Sequence, residues 1–104
     1  MAVPMRMRAV LQGDEVVVRV LMFHDENTGL TTSPYTGEVI PAHFIQTVRC
    51  SHAGRPVVVC DWGIAISKNP FLEFAFAGGR RGDAVTVSWT DNLGESQSTS
   101  TTVI

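Results

Sequence analysis

The chain has 104 residues, of which 44% are apolar and 17% are charged, and its formal net charge is -2. This length predicts a single domain over residues 1–104, and the composition excludes a disordered or coiled-coil protein. The acidic balance lacks the basic footprint of nucleic-acid binding, and no run reaches the roughly 18 apolar residues of a membrane span. We therefore expect neither nucleic acid nor a membrane as a partner.

Short runs of alternating apolar and polar residues predict β-strands along most of the chain. Gly, Pro, Asn and Asp separate these runs, as they do at turns. The predicted strands are residues 5–11, 15–24, 44–51, 56–62, 71–77, 84–91 and 96–104. Seven short strands without a helical segment between them predict an all-β fold, an immunoglobulin-like antiparallel β-sandwich.

Two of the predicted strands have a clear apolar face. In residues 15–24 this face consists of Val16, Val18, Val20 and Met22, with His24 as the last position in the same register. In residues 84–91 it consists of Val85, Val87 and Trp89. The last strand, residues 96–104, is rich in Ser and Thr and has no clear apolar face, which favours a position at a sheet edge.

The segment "HDENTG", residues 24–29, contains a histidine, two carboxylates and an amide. A calcium loop needs oxygen donors at alternate positions over about a dozen residues, and zinc requires spaced His or Cys, and neither spacing is present here. A turn after a strand explains the same residues, because Asn27 and Gly29 tolerate left-handed backbone geometry. We therefore predict a turn, with no metal and no cofactor.

The two cysteines, Cys50 and Cys60, allow several interpretations. Cys50 with His52 or His43 is the minimum for a catalytic nucleophile, although a strand cysteine is more commonly a small buried apolar residue. A disulfide between Cys50 and Cys60 depends on the hairpin register. A two-residue turn at Ala53–Gly54 would place them on opposite faces, whereas a three-residue loop would place them opposite each other.

Four segments carry a family resemblance when they are taken together: "HDENTG", "VIPAHFIQTVRC", "AISKNPFLEF" and "VSWTDNLGES". They resemble the SoxZ family, the smaller subunit of the SoxYZ sulfur-carrier complex of thiosulfate oxidation. The first is similar to a family strand that ends in His followed by Thr-Gly, the second resembles the family's Ile-Pro and following strand, and the last two resemble two further family patterns. Cys60 and the apolar "VVVCDW" depart from the pattern.

The resemblance implies a non-catalytic subunit that forms a heterodimer with a SoxY-like protein. SoxY carries sulfur intermediates on a cysteine in a Gly-Gly-Cys-Gly-Gly tail, whereas this sequence ends in "STSTTVI" and so resembles the Z subunit. The implied role is to hold SoxY and to help transient docking of other Sox enzymes. The candidate docking residues are His24, Thr28, Gly29, Asn69, Pro70 and Phe71.

Localisation and function each have an alternative. The absence of a signal peptide alone indicates the cytoplasm, but the resemblance implies the periplasm, reached by co-export with SoxY. A generic immunoglobulin-like ligand-binding or adhesion module is the first functional alternative. An enzyme that depends on Cys50 or Cys60 is the second.

Overall fold

The computed structural model describes residues 4–24, 29–30, 32–63, 66 and 68–104. These residues form seven strands: β1 (Arg6–Gln12), β2 (Glu15–Leu21), β3 (Ile45–His52), β4 (Arg55–Asp61), β5 (Phe71–Ala77), β6 (Ala84–Asp91) and β7 (Ser96–Thr102). Each corresponds to one predicted strand, and β5 and β6 have the predicted bounds. The described part of the chain contains no helix that is long and apolar enough to cross a membrane.

The strands form two antiparallel sheets, in the orders β1-β2-β5 and β4-β3-β6-β7. Their inward side chains form one core cluster with members from both sheets. The predicted all-β fold is therefore confirmed, and the two layers are consistent with a β-sandwich. β4 lies beside β3 in the larger sheet, whereas a constant-type immunoglobulin domain places its fourth strand in the other sheet.

The core follows from the alternation in the sequence. Val16, Val18, Val20 and Met22 extend from β2 on one side, and Val85, Val87 and Trp89 extend from β6 on the other, all at most 2% exposed. Burial of an apolar side chain of this size contributes about 1.5–3 kcal/mol. These two predicted faces therefore supply much of the stabilisation.

The Ser/Thr-rich β7 lies at the edge of the larger sheet, as predicted. Beyond its end, Val103 is buried and forms a parallel bridge with Ala9 of β1. The N–H of Leu11 donates to the carbonyl of Ile104 at 2.9 Å, and the N–H of Ile104 donates to the carbonyl of Ala9 at 3.0 Å. The end of the chain thus joins the two sheets and protects part of the β1 edge.

The β3–β4 hairpin corrects the predicted cysteine geometry. Its turn has two residues, because His52 pairs with Arg55, but the register shifts between Cys50 and Ser51. This bulge adds one residue, so Cys50 pairs with Val58 instead of Val57. Cys60 pairs with Val48 and packs against the core rather than lying on the other face. Both thiols are free, and the candidate disulfide is not formed.

Candidate functional site

Two histidines and one aspartate meet where β2 and β6 end and β3 begins. The Nε2 atom of His24 lies 3.0 Å from Oδ2 of Asp91, and the Nε2 atom of His43 lies 2.9 Å from the same oxygen. The imidazole rings of His24 and His43 are in edge contact, with centroids 4.5 Å apart. We call these three residues the His–His–Asp cluster.

The strand patterns place two members of the cluster inside the protein. His24 follows Met22 in the inward register of β2, and Asp91 follows Trp89 in the inward register of β6. The Asp91 side chain is fully buried and that of His24 is 5% exposed, whereas that of His43 is 27% exposed. The indole ring of Trp89 packs edge-on against His24, with centroids 4.9 Å apart. Solvent therefore reaches the cluster on the His43 side.

One asparagine binds the backbone at or beside each histidine. Asn69 accepts a hydrogen bond from the N–H of His24 at its side-chain oxygen, at 2.9 Å, and its own N–H donates to the His24 carbonyl. Asn92 accepts from the N–H of Phe44 at 2.9 Å, and its amide group donates to the carbonyl of Ala42 at 2.8 Å. His43 is thus fixed on both sides, because Phe44 and Ala42 are its chain neighbours.

The two carboxylate oxygens of Asp91 have different hydrogen-bond partners. Oδ1 accepts hydrogen bonds from the backbone N–H groups of Leu93, at 3.0 Å, and Glu95, at 2.9 Å, in the turn before β7. Oδ2 contacts both histidines. Burial raises the pKa of Asp91, but the hydrogen bonds from His24 and His43 and from the two backbone N–H groups outweigh it, so the pKa lies below its ordinary value. Asp91 is therefore held as a carboxylate.

The predicted docking residues have different environments. Among them, Phe71 is 57% exposed, and Asn69 is also exposed although its side chain binds the His24 backbone. Pro70 is buried and Gly29 is half-buried, and Thr28 lies outside the described residues. His24 is 8% exposed, because the inward register of β2 directs its ring into the core, so little of its surface is available to a partner.

The cysteines lack the environment of an activated nucleophile. Burial raises the pKa of the Cys50 thiol to about 11. Burial and the charge of Asp61 also raise the pKa of Cys60. Among the described residues, the Cys50 thiol contacts the carbonyl of Ser51, whereas His52 contacts Asp83 and His43 contacts Asp91. Reactive cysteines need a lowered pKa, which is the opposite of both shifts.

Sequence reasoning missed His43 and Asp91 as members of a cluster. The alternation of Val85, Val87 and Trp89, continued by one step, places Asp91 on the inward face. This alternation was the one sequence signal that could have identified Asp91. His43 lies outside any strand and gives no periodic signal. His24 lies 67 positions from Asp91 in the sequence, and His43 lies 48 positions from it. A local sequence pattern does not reveal contacts between residues so far apart.

The two antiparallel sheets and their shared core define this chain as a β-sandwich protein, with a buried His–His–Asp cluster near one end. A family model described as "Sulphur oxidation protein SoxZ" matches residues 5–102. The chain therefore belongs to the SoxZ family, and the resemblance noted in the sequence is confirmed. Membership of this family implies a role in the Sox system of sulfur oxidation. No curated protein matches the chain.

Proposed function

We propose that this chain is the non-catalytic subunit of a SoxYZ-type sulfur-carrier complex, in which it binds a SoxY-like protein and helps to dock the Sox enzymes. The observation that carries the proposal is the family match over residues 5–102. In such a complex, the cysteine that carries sulfur belongs to the SoxY-like partner. The raised pKa values of Cys50 and Cys60 agree with this division of labour.

The surface of the chain is large enough for a partner. Its accessible area is 6440 Å², whereas a compact monomer of 11.3 kDa has about 5,700 Å². A standard interface covers about 800 Å² on each protein. Several large apolar side chains are more than half exposed in the described residues, and they are Leu30, Tyr35, Val39, Val59, Phe71, Leu93 and Ile104. These side chains supply apolar area for an interface.

Phe71 is the exposed aromatic residue among the docking candidates. It lies at the start of β5, is 57% exposed, and belongs to the "AISKNPFLEF" segment. We expect Phe71→Ser to weaken binding of a SoxY-like protein by about tenfold or more, because truncated aromatic anchors typically lose at least 1–2 kcal/mol. Tyr35→Ser is the matched comparison, since Tyr35 is an aromatic residue that is 94% exposed on a different segment and represents a different candidate surface.

Binding can be measured with the two purified proteins by surface plasmon resonance or calorimetry. Weakening by Phe71→Ser but not by Tyr35→Ser assigns the interface to the β5 side. Weakening by Tyr35→Ser alone would contradict the Phe71 assignment and move the interface to the segment that contains Tyr35. If wild-type protein shows no binding, the carrier proposal fails and the generic ligand-binding module becomes the better account.

The sulfur chemistry tests the non-catalytic part of the proposal. After turnover of thiosulfate by a reconstituted Sox system, mass spectrometry should find sulfur adducts on the SoxY-like protein and none on Cys50 or Cys60. The Cys50→Ser, Cys60→Ser double variant should support the same turnover once its folding has been checked by circular dichroism. Adducts on this chain, or loss of turnover in a folded double variant, would favour the Cys-dependent enzyme.

We also propose that the protein works in the periplasm, where it arrives together with its SoxY-like partner. Family membership supports this location. The test is fractionation of cells that produce this chain with and without a partner that has its own export signal. We expect the chain in the periplasmic fraction only with the partner, and a chain that stays in the cytoplasm in both cases would contradict co-export.

A further inference from the structure

We propose that His24, His43 and Asp91 form a binding site for one divalent transition-metal ion, with Zn²⁺ as the probe of choice. Each residue offers one ligand atom, and these atoms all lie within 4.8 Å of one another. Two imidazole nitrogens and one carboxylate oxygen form a donor set that zinc accepts, and three protein ligands leave a coordination position for water or another small ligand. This inference is independent of the proposed SoxY partnership.

The distances between the donors are close to those that an ion requires. A tetrahedral zinc ion with bonds of about 2.0–2.1 Å separates its ligand atoms by about 3.3 Å. Here the two nitrogens lie 3.0 and 2.9 Å from the shared oxygen. All three ligand atoms lie within 4.8 Å of one another, so side-chain adjustment brings them to the separations that the ion requires. Each ring nitrogen Nε2 contacts the carboxylate, which only accepts, so Nε2 carries the ring proton before the ion binds. To bind the ion through Nε2, each ring would move that proton to Nδ1, which is a change of tautomer.

The ligands are held by groups that an ion would leave in place. Asn69 and Asn92 bind the backbone beside the two histidines, and Oδ1 of Asp91 accepts from two backbone N–H groups. Only Oδ2 and the two Nε2 atoms point towards one another. Outer contacts of this kind orient metal ligands, and their loss typically lowers affinity 10–100-fold.

The charge of the cluster favours a cation. Asp91 is fully buried, and among the described residues its side-chain partners are the two histidines, with no Lys or Arg. With neutral imidazoles the three side chains carry one negative charge, which a divalent ion compensates. The 27% exposure of the His43 side chain provides the entry path.

His52 and Asp83 provide a matched control at the other end of the sandwich. They form the same Nε2–Oδ2 contact, at 2.7 Å, and both are partly exposed. In the described part of the chain they have no third His, Cys or carboxylate with which to hold an ion. His43→Gln therefore removes one of three candidate ligands, whereas His52→Gln makes the same change in a pair of only two candidate ligands.

The experiment is titration of ZnCl₂ into chelator-treated full-length protein, followed by calorimetry and thermal unfolding. We expect one ion per chain, and a rise in the unfolding midpoint of about 5–10 °C when free zinc is ten times the dissociation constant. His43→Gln should weaken binding at least about tenfold, whereas His52→Gln should leave it unchanged. Absence of saturable binding, or equal binding by His43→Gln and wild type, would overturn the site.

Two further measurements distinguish this cluster from a cysteine site and from binding at His52. Co²⁺ bound by the His–His–Asp donor set should give visible d–d bands without a thiolate charge-transfer band, and Cys60→Ser should bind as wild type does. A thiolate band would assign the ion to a cysteine and overturn the proposal. In wild-type protein, zinc should shift the NMR signals of the His24 and His43 rings but not those of His52. This readout remains decisive if His43→Gln fails to fold.

Discussion

At the scale of single residues, the inward side chains of β2 and β6 form the core that stabilises the protein, and the same two registers place His24 and Asp91 in the His–His–Asp cluster. Met22 is fully buried immediately before His24 in the same register, and Trp89 occupies the equivalent place before Asp91. The apolar core thus continues directly into a polar cluster. Burying the Asp91 carboxylate costs free energy, and the four hydrogen bonds that this carboxylate accepts offset that cost.

Replacing Met22 by Ala should destabilise the protein strongly. The change removes buried methylene and sulfur atoms and leaves a cavity, which typically costs about 2–5 kcal/mol in the free energy of unfolding. Val59→Ala is the control, because Val59 is 56% exposed on the edge strand β4 and should change stability by at most about 0.5 kcal/mol. Urea unfolding measures both, and equal effects would contradict the assigned core.

The two thiols should differ in their rate of alkylation. Cys50 is buried with a pKa of about 11, whereas Cys60 is partly exposed, with a pKa raised by burial and by Asp61. At neutral pH both should react slowly with iodoacetamide, because the thiolate is the reactive form, and Cys60 should react first. A time course followed by peptide mass spectrometry measures this order. In Cys60→Ser only the slow phase should remain, and faster labelling of Cys50 would contradict the structure.

At the scale of elements, the sequence predicts strands better than it predicts the contacts between them. Alternation is a local property, so β5 and β6 have the predicted bounds, and the inward valines of β2 are as expected. The bulge at Cys50 and Ser51 has no local signal, and it changes the register of both cysteines. Of the His–His–Asp cluster, only the inward position of His24 was predicted, because the other members depend on contacts between distant strands.

The β3–β4 turn is a site where one substitution should stabilise the fold. Ala53 and Gly54 both have positive φ, of 50° and 81°, as a type I′ hairpin turn requires. An alanine in this region costs about 1–2 kcal/mol, whereas Asn tolerates it. Ala53→Asn should therefore raise the free energy of unfolding by about 0.5–1 kcal/mol. Ala75→Asn, at an exposed position inside β5, should give no gain, and an equal gain there would contradict the turn assignment.

The connection from β5 to β6 should make stability depend on pH. Asp83 accepts hydrogen bonds from His52 at 2.7 Å and from the N–H of Arg80 at 2.9 Å, and these bonds lower its pKa. Because the folded pKa is lowered, the stabilisation is present above the ordinary value of about 3.9 and is lost as the pH falls through the folded pKa.

Asp83→Asn tests this dependence by urea unfolding at several pH values. We expect the variant to be less stable than wild type near neutral pH, and the difference to shrink as the pH falls below about 4. Asp14→Asn, at an exposed turn position between β1 and β2, is the control and should show no comparable convergence. A difference between Asp83→Asn and wild type that is constant down to about pH 2 would contradict the role of these hydrogen bonds.

At the scale of the whole molecule, the chain is elongated. Its radius of gyration is 15.8 Å and its extents are 53 × 22 × 19 Å, whereas a compact domain of this length has a radius of gyration of about 13 Å. A long, narrow sandwich with exposed apolar side chains has a large surface relative to its core. This shape suits a subunit whose task is to hold one protein and present it to others, which is the role proposed here.

The most direct test of that role is co-expression of this chain with a SoxY-like protein, followed by size exclusion with multi-angle light scattering. We predict one peak whose mass equals the sum of one copy of each chain, and which persists on dilution to low micromolar concentration. An unrelated immunoglobulin-like domain co-expressed with the same SoxY-like protein is the control and should elute separately. If this chain also elutes separately, at the mass of a monomer, the carrier account is wrong.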